Sequence, residues 1–385
     1  MKQKIKEITE VFNTNILNKD FSKENIGDGL FEGQLGIMYY LLNLYKTEQK
    51  EVYADKMSEI LNDVFSKVSD GNHAIVISTA FSYGLSGFGY ITHELVKEEI
   101  LDQDTLSFFT DINDYIYDRA IVDFEKGNFD FMEGFPGALY YLHTIGHPKS
   151  NSLIDKMHEN LKESKYPFYN HIEELYNKGI NFGIAHGILG ILTIMLQIFE
   201  KDRANHKVKD IITHCITVIL ESKREINENG ITIYYPYNLF YEGDQLKAHP
   251  TNRLAWCSGD LAVALVLYKA GVLLDREDCI SLSNTLGENS IKRKTVEETG
   301  IHLAMFCHGT SGAACMYKKL YQLAGNPLYL KAYQYWFDRT ITYLDKDINE
   351  IHPDYYNMLL GNAGAILLIN NHSDAINGWD KIFLI

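Results

Sequence analysis

The stretch GIAHGILGILTIMLQIF, Gly183–Phe199, sets a histidine before a Gly-x-x-Gly pair (Gly187, Gly190) and an apolar run after it. The run is hydrophobic nearly all round, the pattern of a helix buried on every side. Glycine inside a helix costs roughly 1 kcal/mol against alanine, so two at a helix start need a reason. The element recurs along the chain at Gly33/Gly36, Gly84/Gly87, Gly134/Gly137, Gly187/Gly190, Gly259/Ala262, Gly309/Gly312 and Gly361/Gly364. First glycines are spaced by 51, 50, 53, 72, 50 and 52 residues. A period near 50 marks one structural unit used seven times.

Each copy opens apolar residues at helical spacing, such as Ile37, Tyr40, Leu41 and Leu44, or Ala138, Tyr141 and Leu142. Between copies run more polar helical patterns, for example KEEILDQDTLSFFTDINDYIYDRAI (97–121). One inner and one outer helix per unit predicts about fourteen helices, and seven hairpins that close on themselves make an all-α, α/α toroid. An open solenoid is the alternative, less suited to a ligand set spread over units four to six. Small residues at the helix starts fit the crowding where seven helix ends converge. The repeat reads as a single domain over 1–385. The 72-residue interval carries an excess at 224–252, ending in GITIYYPYNLFYEGDQLKAHP (230–250). Rich in Tyr, Thr and Ile, it favours extended structure and reads either as an inserted strand or loop reaching over the site, or as a surface excursion.

The formal net charge is −15, with no basic block, which argues against nucleic acid and leaves open a cationic substrate or simply a solvated surface. No apolar stretch approaches the ~20 residues of a membrane span, and the N-terminus lacks the apolar core of a signal peptide. The expected place is the cytoplasm. The five cysteines are an odd number, better read as thiols or metal ligands than as disulfides. Cys215 and Cys315 lie in apolar runs and read as core; Cys279 has no evident role.

Cysteine or histidine stands before three consecutive glycine pairs: His186 before Gly187, Cys257 before Gly259, and Cys307-His308 before Gly309. Equivalent positions on neighbouring units converge in space, so these four side chains are expected to meet. Two thiols and one imidazole, from Cys257, Cys307 and His308, suit Zn2+ in tetrahedral geometry with a fourth position open, the mark of a catalytic site. A buried core pair is the bland alternative.

Trp256-Cys257-Ser258-Gly259, followed fifty residues on by Cys307-His308-Gly309 within a sevenfold glycine-pair repeat, resembles the lanthionine synthetase C-like proteins, the lantibiotic cyclases. The resemblance covers nearly the whole chain. It implies an α/α toroid, one zinc on two Cys and one His, and addition of a peptide cysteine thiol to dehydroalanine or dehydrobutyrine, closing a thioether ring. A free thiol is mostly protonated at neutral pH, and the zinc would favour the nucleophilic thiolate. The partner implied is a dehydrated precursor peptide. Docking to a separate dehydratase or an export transporter stays open, and a stand-alone cyclase is expected because the repeat begins within the first forty residues.

The same resemblance marks three more positions. His186 is the candidate for acid–base work, protonating the enolate; a fourth metal ligand or a core histidine are its rivals. Asp130 is expected to orient a histidine or join proton transfer, or else to cap the third inner helix. Arg253 is expected to stabilise the enolate oxygen or to fix Asp130. Trp256 reads as packing on the cavity wall, and Tyr83 shares the register without a role. Ser258 departs from relatives with an aromatic residue there, and Ala262 replaces a second glycine. Addition of an external thiol such as glutathione, and a non-catalytic zinc-bearing peptide-binding module, are the competing functions. A glycoside-cleaving toroid would need two facing carboxylates, and Asp130 and Glu133 have no clear opposing partner.

Overall fold

A computed structural model describes residues 1–24, 26–69, 74–172, 178–228, 230–348, 352–372 and 378–385. The chain opens with an outer helix, α1 (Lys2–Asn18), and then alternates inner with outer. The first pairs are α2 (Gln34–Glu48) with α3 (Glu51–Ser69), α4 (Leu85–Lys97) with α5 (Thr110–Glu125), and α6 (Phe135–Thr144) with α7 (Ser150–Glu163). Then come α8 (Ile188–Lys201) with α9 (His206–Glu221), and α10 (Asp260–Leu274) with α11 (Glu277–Ile291). A one-turn α12 (Val296–Thr299) precedes α13 (Thr310–Ala324) with α14 (Pro327–Asp347), and α15 (Ala363–Asn370) is the seventh inner helix. Each inner helix packs on that of the next unit and α15 returns to α2, so the ring closes as an α/α toroid.

The two layers follow from their patterns. In α8 every residue from Ile188 to Leu196 is buried, whereas α9 buries only the stripe Val208, Ile211, Ile212, Cys215, Ile216 and Ile219. The outer partner of α15 is α1, from the other end of the chain. It buries Ile5, Ile8, Phe12 and Ile16. The Thr9 hydroxyl donates to Asn370 Oδ1 at 2.7 Å, and Lys4 pairs with Asp345 on α14 at 2.8 Å.

The glycine pairs answer to a nearer neighbour than the converging helix ends. A Cβ on Gly187 would lie 2.0 Å from the Asn181 carbonyl oxygen, and one on Gly190 would lie 2.4 Å from that of Ile184. The loop before the helix curls over its first turn and leaves no room for a side chain. These loops also hand backbone hydrogen bonds around the ring. The Phe31 amide donates to Ser82, that of Ser82 to Met132, and that of Phe131 to Ala185. Farther on, Trp256 donates to Cys307, Cys307 to Leu359, and Leu359 back to Phe31. At the junction of units four and five the Gly183 backbone presses on the Cys257 carbonyl, where a Cβ would stand 1.8 Å from the oxygen.

Aromatic rings fill the axis beneath the loops. Phe31 packs on Phe81, Phe131, Trp256 and Phe383, and Phe306 stacks on Phe383 at 3.9 Å. Phe383 belongs to a short 3-10 turn, Lys381–Phe383, that runs inside the ring. The Tyr39 hydroxyl donates to the Trp379 carbonyl at 3.0 Å, and Lys319 pairs with Asp380 at 2.6 Å. With that end plugged, the opposite face of the loops is left for chemistry.

Between α9 and α10 lie two hairpins: β2 (Ile226–Glu228) with β3 (Ile231–Ile233), and β4 (Asn238–Glu242) with β5 (Gln245–His249). Asn229, in the 224–252 segment, lies outside the described residues. β4 also pairs with β1 (Ile180–Asn181), in the loop that leads to His186. Asp260, the first residue of α10, anchors the segment: its carboxylate accepts from the amides of Tyr234 and Tyr235 and pairs with Arg293 at 3.3 Å. Among the described residues no helix is long and apolar enough to cross a membrane.

Candidate metal centre and acid–base pair

The glycines set a register in which Ala185, Cys257 and Cys307 stand two residues before the first glycine, and His186, Ser258 and His308 one residue before it. The closed ring brings units five and six side by side. The Sγ atoms of Cys257 and Cys307 and a ring nitrogen of His308 all lie within 4.8 Å of one another. Both cysteines are buried and His308 is half-buried. The two sulfurs are coupled. A hydrogen bond from Cys307 holds the Cys257 thiol far below its ordinary value against the cost of burial, helped by His308 and His186. The Cys307 thiol is pushed up correspondingly, by that bond, by burial and by the neighbouring thiolate. Such a set fits a tetrahedral metal, since thiolates about 2.3 Å from a common zinc stand roughly 3.8 Å apart.

One unit back, His186 Nδ1 lies 2.7 Å from Asp130 Oδ2. Asp130 is buried, and its other oxygen accepts from the amides of Met132 and Glu133 at 2.7 and 3.1 Å. The cap position of α6 is Gly134, so Asp130 braces the loop and holds the histidine rather than capping the helix. Burial alone would lower the His186 imidazole. The charge and hydrogen bond of Asp130, with the Cys257 thiolate and Glu133 behind them, outweigh it and raise the pKa to about 9. The ring is thus an imidazolium at neutral pH, partly open to solvent.

Arg253 is exposed, and among the described residues its guanidinium makes no hydrogen bond or ion pair. Its charge acts on Cys307, lowering the thiol against the larger upward effects. Both Asp130 oxygens are engaged elsewhere, so Arg253 does not fix Asp130. Trp256 also departs from expectation. It is fully buried among Phe31, Phe306 and Phe383, and its Nε1 donates to the Phe383 carbonyl at 2.7 Å, in the axis rather than on the pocket wall. Ser258 is fully buried too, and Tyr83 is exposed. Cys215, Cys279 and Cys315 are buried, free thiols.

A family model described as lanthionine synthetase C-like protein matches residues 2–384. The chain belongs to the lanthionine synthetase C-like family. Among solved structures, one described as nisin cyclase superposes with a TM-score of 0.73 at 20% identity. The match covers 100% of this chain and 97% of that chain. At that identity the likeness is one of fold, and the toroid of this lanthionine synthetase C-like protein is what the two share.

Two features had no signal in the glycine register. Asp260 follows Gly259 directly, yet nothing local to it announces the partner amides 25 and 26 residues upstream. Tyr237, whose phenol is pushed upward by burial and by the charges of Cys257, Asp130 and Cys307, comes from the insertion, which the repeat does not index; only its run of tyrosines beside the expected site pointed that way.

Proposed function

We propose that this chain is a zinc-dependent thioether cyclase, one catalytic domain over 1–385, acting on a dehydrated precursor peptide. The observation that carries the reading is the Cys257–Cys307–His308 cluster one unit from a buried-carboxylate–imidazolium pair, in a protein of this family. Cys257, Cys307 and His308 would hold the zinc, which when bound supplies the positive charge that keeps a substrate cysteine as thiolate at neutral pH. His186, kept protonated by Asp130, gives its proton to the α-carbon after the sulfur has added to the β-carbon. Asp130 accepts from Nδ1 of the ring, which orients it and keeps the remaining proton on Nδ1 once Nε2 has given up its own. Arg253, uncommitted and exposed, offers its guanidinium to the acyl oxygen that gathers charge. The 224–252 segment walls the site on the side of His186.

The test is ring closure and zinc content together. Wild type is expected to bind one zinc per chain and to convert a dehydrated precursor into thioether rings. Cys307→Ala is expected to lose both. Retained cyclisation by Cys307→Ala would falsify the reading, and adducts formed only with added glutathione would replace it with external-thiol chemistry.

A further inference from the structure

Tyr237 stands between β3 and β4, and its main chain is held from two sides. Its amide donates to the His249 carbonyl at 2.7 Å, and its carbonyl accepts from the Phe182 amide at 3.0 Å. The next residue after Phe182 is Gly183, the one pressed against the Cys257 carbonyl. The Tyr237 main chain is therefore bonded to the residue next to the one that lies against the Cys257 main chain. Its side chain is half-buried and shares a hydrogen bond with the carboxamide of Asn181, the β1 residue that pairs with Asn238. Burial and, beyond it, the charges of Cys257, Asp130 and Cys307 push the phenol upward. It lies within electrostatic reach of both halves of the site.

We propose that Tyr237 is a further catalytic residue, its phenol O–H donating a hydrogen bond to the carbonyl oxygen of the dehydroamino acid. The inference rests on the cyclase reading. In that reaction a sulfur lone pair forms the S–Cβ bond while the Cα=Cβ π pair shifts to Cα–C, and the carbonyl π pair moves onto oxygen. The enolate so formed returns its pair to take a proton at Cα; the thiol's own proton has meanwhile gone to solvent, so one proton is lost and one gained. A neutral donor aimed at that oxygen helps most when the charge is fully developed, which is a gain in the transition state rather than in binding. A phenol suits the place: with an ordinary pKa near 10 it stays protonated at neutral pH, and it can accept from a carboxamide while donating its own proton. Asn181 and the two main-chain bonds hold it in position.

The test compares zinc-loaded wild type with Tyr237→Phe on one dehydrated precursor peptide. The expected result is a loss in kcat of about 10²–10³-fold with KM changed by less than about 3-fold and zinc content unchanged. A kcat within about 3-fold of wild type, or loss of zinc in Tyr237→Phe, overturns the assignment. If Tyr237→Phe fails to fold by circular dichroism, 4-fluorophenylalanine at 237 serves instead. It fills the space of the phenol with no O–H to donate, so the same loss in kcat is expected, and a kcat within about 3-fold of wild type overturns the assignment. A wild type that closes no rings overturns the cyclase reading and this assignment with it; a wild type that cyclises beside an equally fast Tyr237→Phe overturns this assignment alone.

Discussion

His186 carries its proton because Asp130 is buried beside it. With its pKa raised to about 9, the imidazolium is populated through neutrality and is lost as pH climbs through that value. Cyclisation that needs this acid is expected to hold steady near pH 7 and to fall above about 9. Asp130→Asn removes the main attraction and leaves burial, which lowers the imidazole, so the alkaline limb is expected to move to lower pH. A pH profile of kcat on the two proteins decides this, and an unmoved limb would assign the acid elsewhere. His186→Ala is expected to cost about 10²–10⁴-fold in kcat with zinc retained. The meeting of Cys257, Cys307 and His308 was legible in the sequence because the repeat register indexes each of them, whereas His186 stands one unit back, on Asp130. The direction of Trp256 was not: one residue before Cys257 the backbone turns the side chain into the axis, and spacing along the chain carries no sign for inward or outward.

At the scale of elements, the inner helices read directly from the glycine pairs and apolar runs, while the reason for the glycines did not. The loop carbonyls that exclude a side chain belong to the same unit, six residues upstream, and appear only when the loop is folded over the helix. Alanine at 190 improves helix propensity by roughly 1 kcal/mol yet sets a Cβ 2.4 Å from the Ile184 carbonyl oxygen. Gly190→Ala is therefore expected to lower stability, by about 1–3 kcal/mol, in a urea or thermal melt. A stabilised variant would show that the loop yields freely. The inserted hairpins are likewise more than an excursion, since Asp260 ties them to α10. Asp260→Ala strands the buried Arg293 and is expected to cost about 3–5 kcal/mol, with Asp260→Asn milder because a carboxamide still accepts from Tyr234 and Tyr235. Equal melts for the two variants would argue that the oxygen accepting from Tyr234 and Tyr235 adds nothing. This anchor was not readable, because an insertion breaks the period that locates everything else.

The whole molecule is a ring closed twice: by α15 against α2, and by the axial plug of residues 378–385. The toroid followed from a sevenfold period and the need of each inner helix for neighbours on both sides. The plug did not, since Phe383 sits beyond the last glycine pair and outside the repeat. Removing its ring empties a space shared with Phe31, Trp256 and Phe306. Phe383→Ala is expected to lose about 3–5 kcal/mol. Because the cavity would lie just under the loops that carry Cys257 and Cys307, zinc affinity is expected to weaken as well, which metal titration against a chromophoric chelator would read. A large loss of stability with unaltered zinc affinity would show the plug and the metal loops to be mechanically independent.

The pairing of α1 with α15 has a consequence for how the protein is made. Helix α1 (Lys2–Asn18) packs on the last inner helix, α15 (Ala363–Asn370), 345 residues away counted from Asn18 to Ala363. At bacterial-to-eukaryotic elongation speeds of about 5–20 residues per second, roughly 20–70 seconds pass between the two. For that interval the stripe Ile5, Ile8, Phe12 and Ile16 has only the α2 and α3 side of its native setting and lacks α14 and α15. Until α15 is made, the nascent ring thus carries an apolar stripe only partly covered.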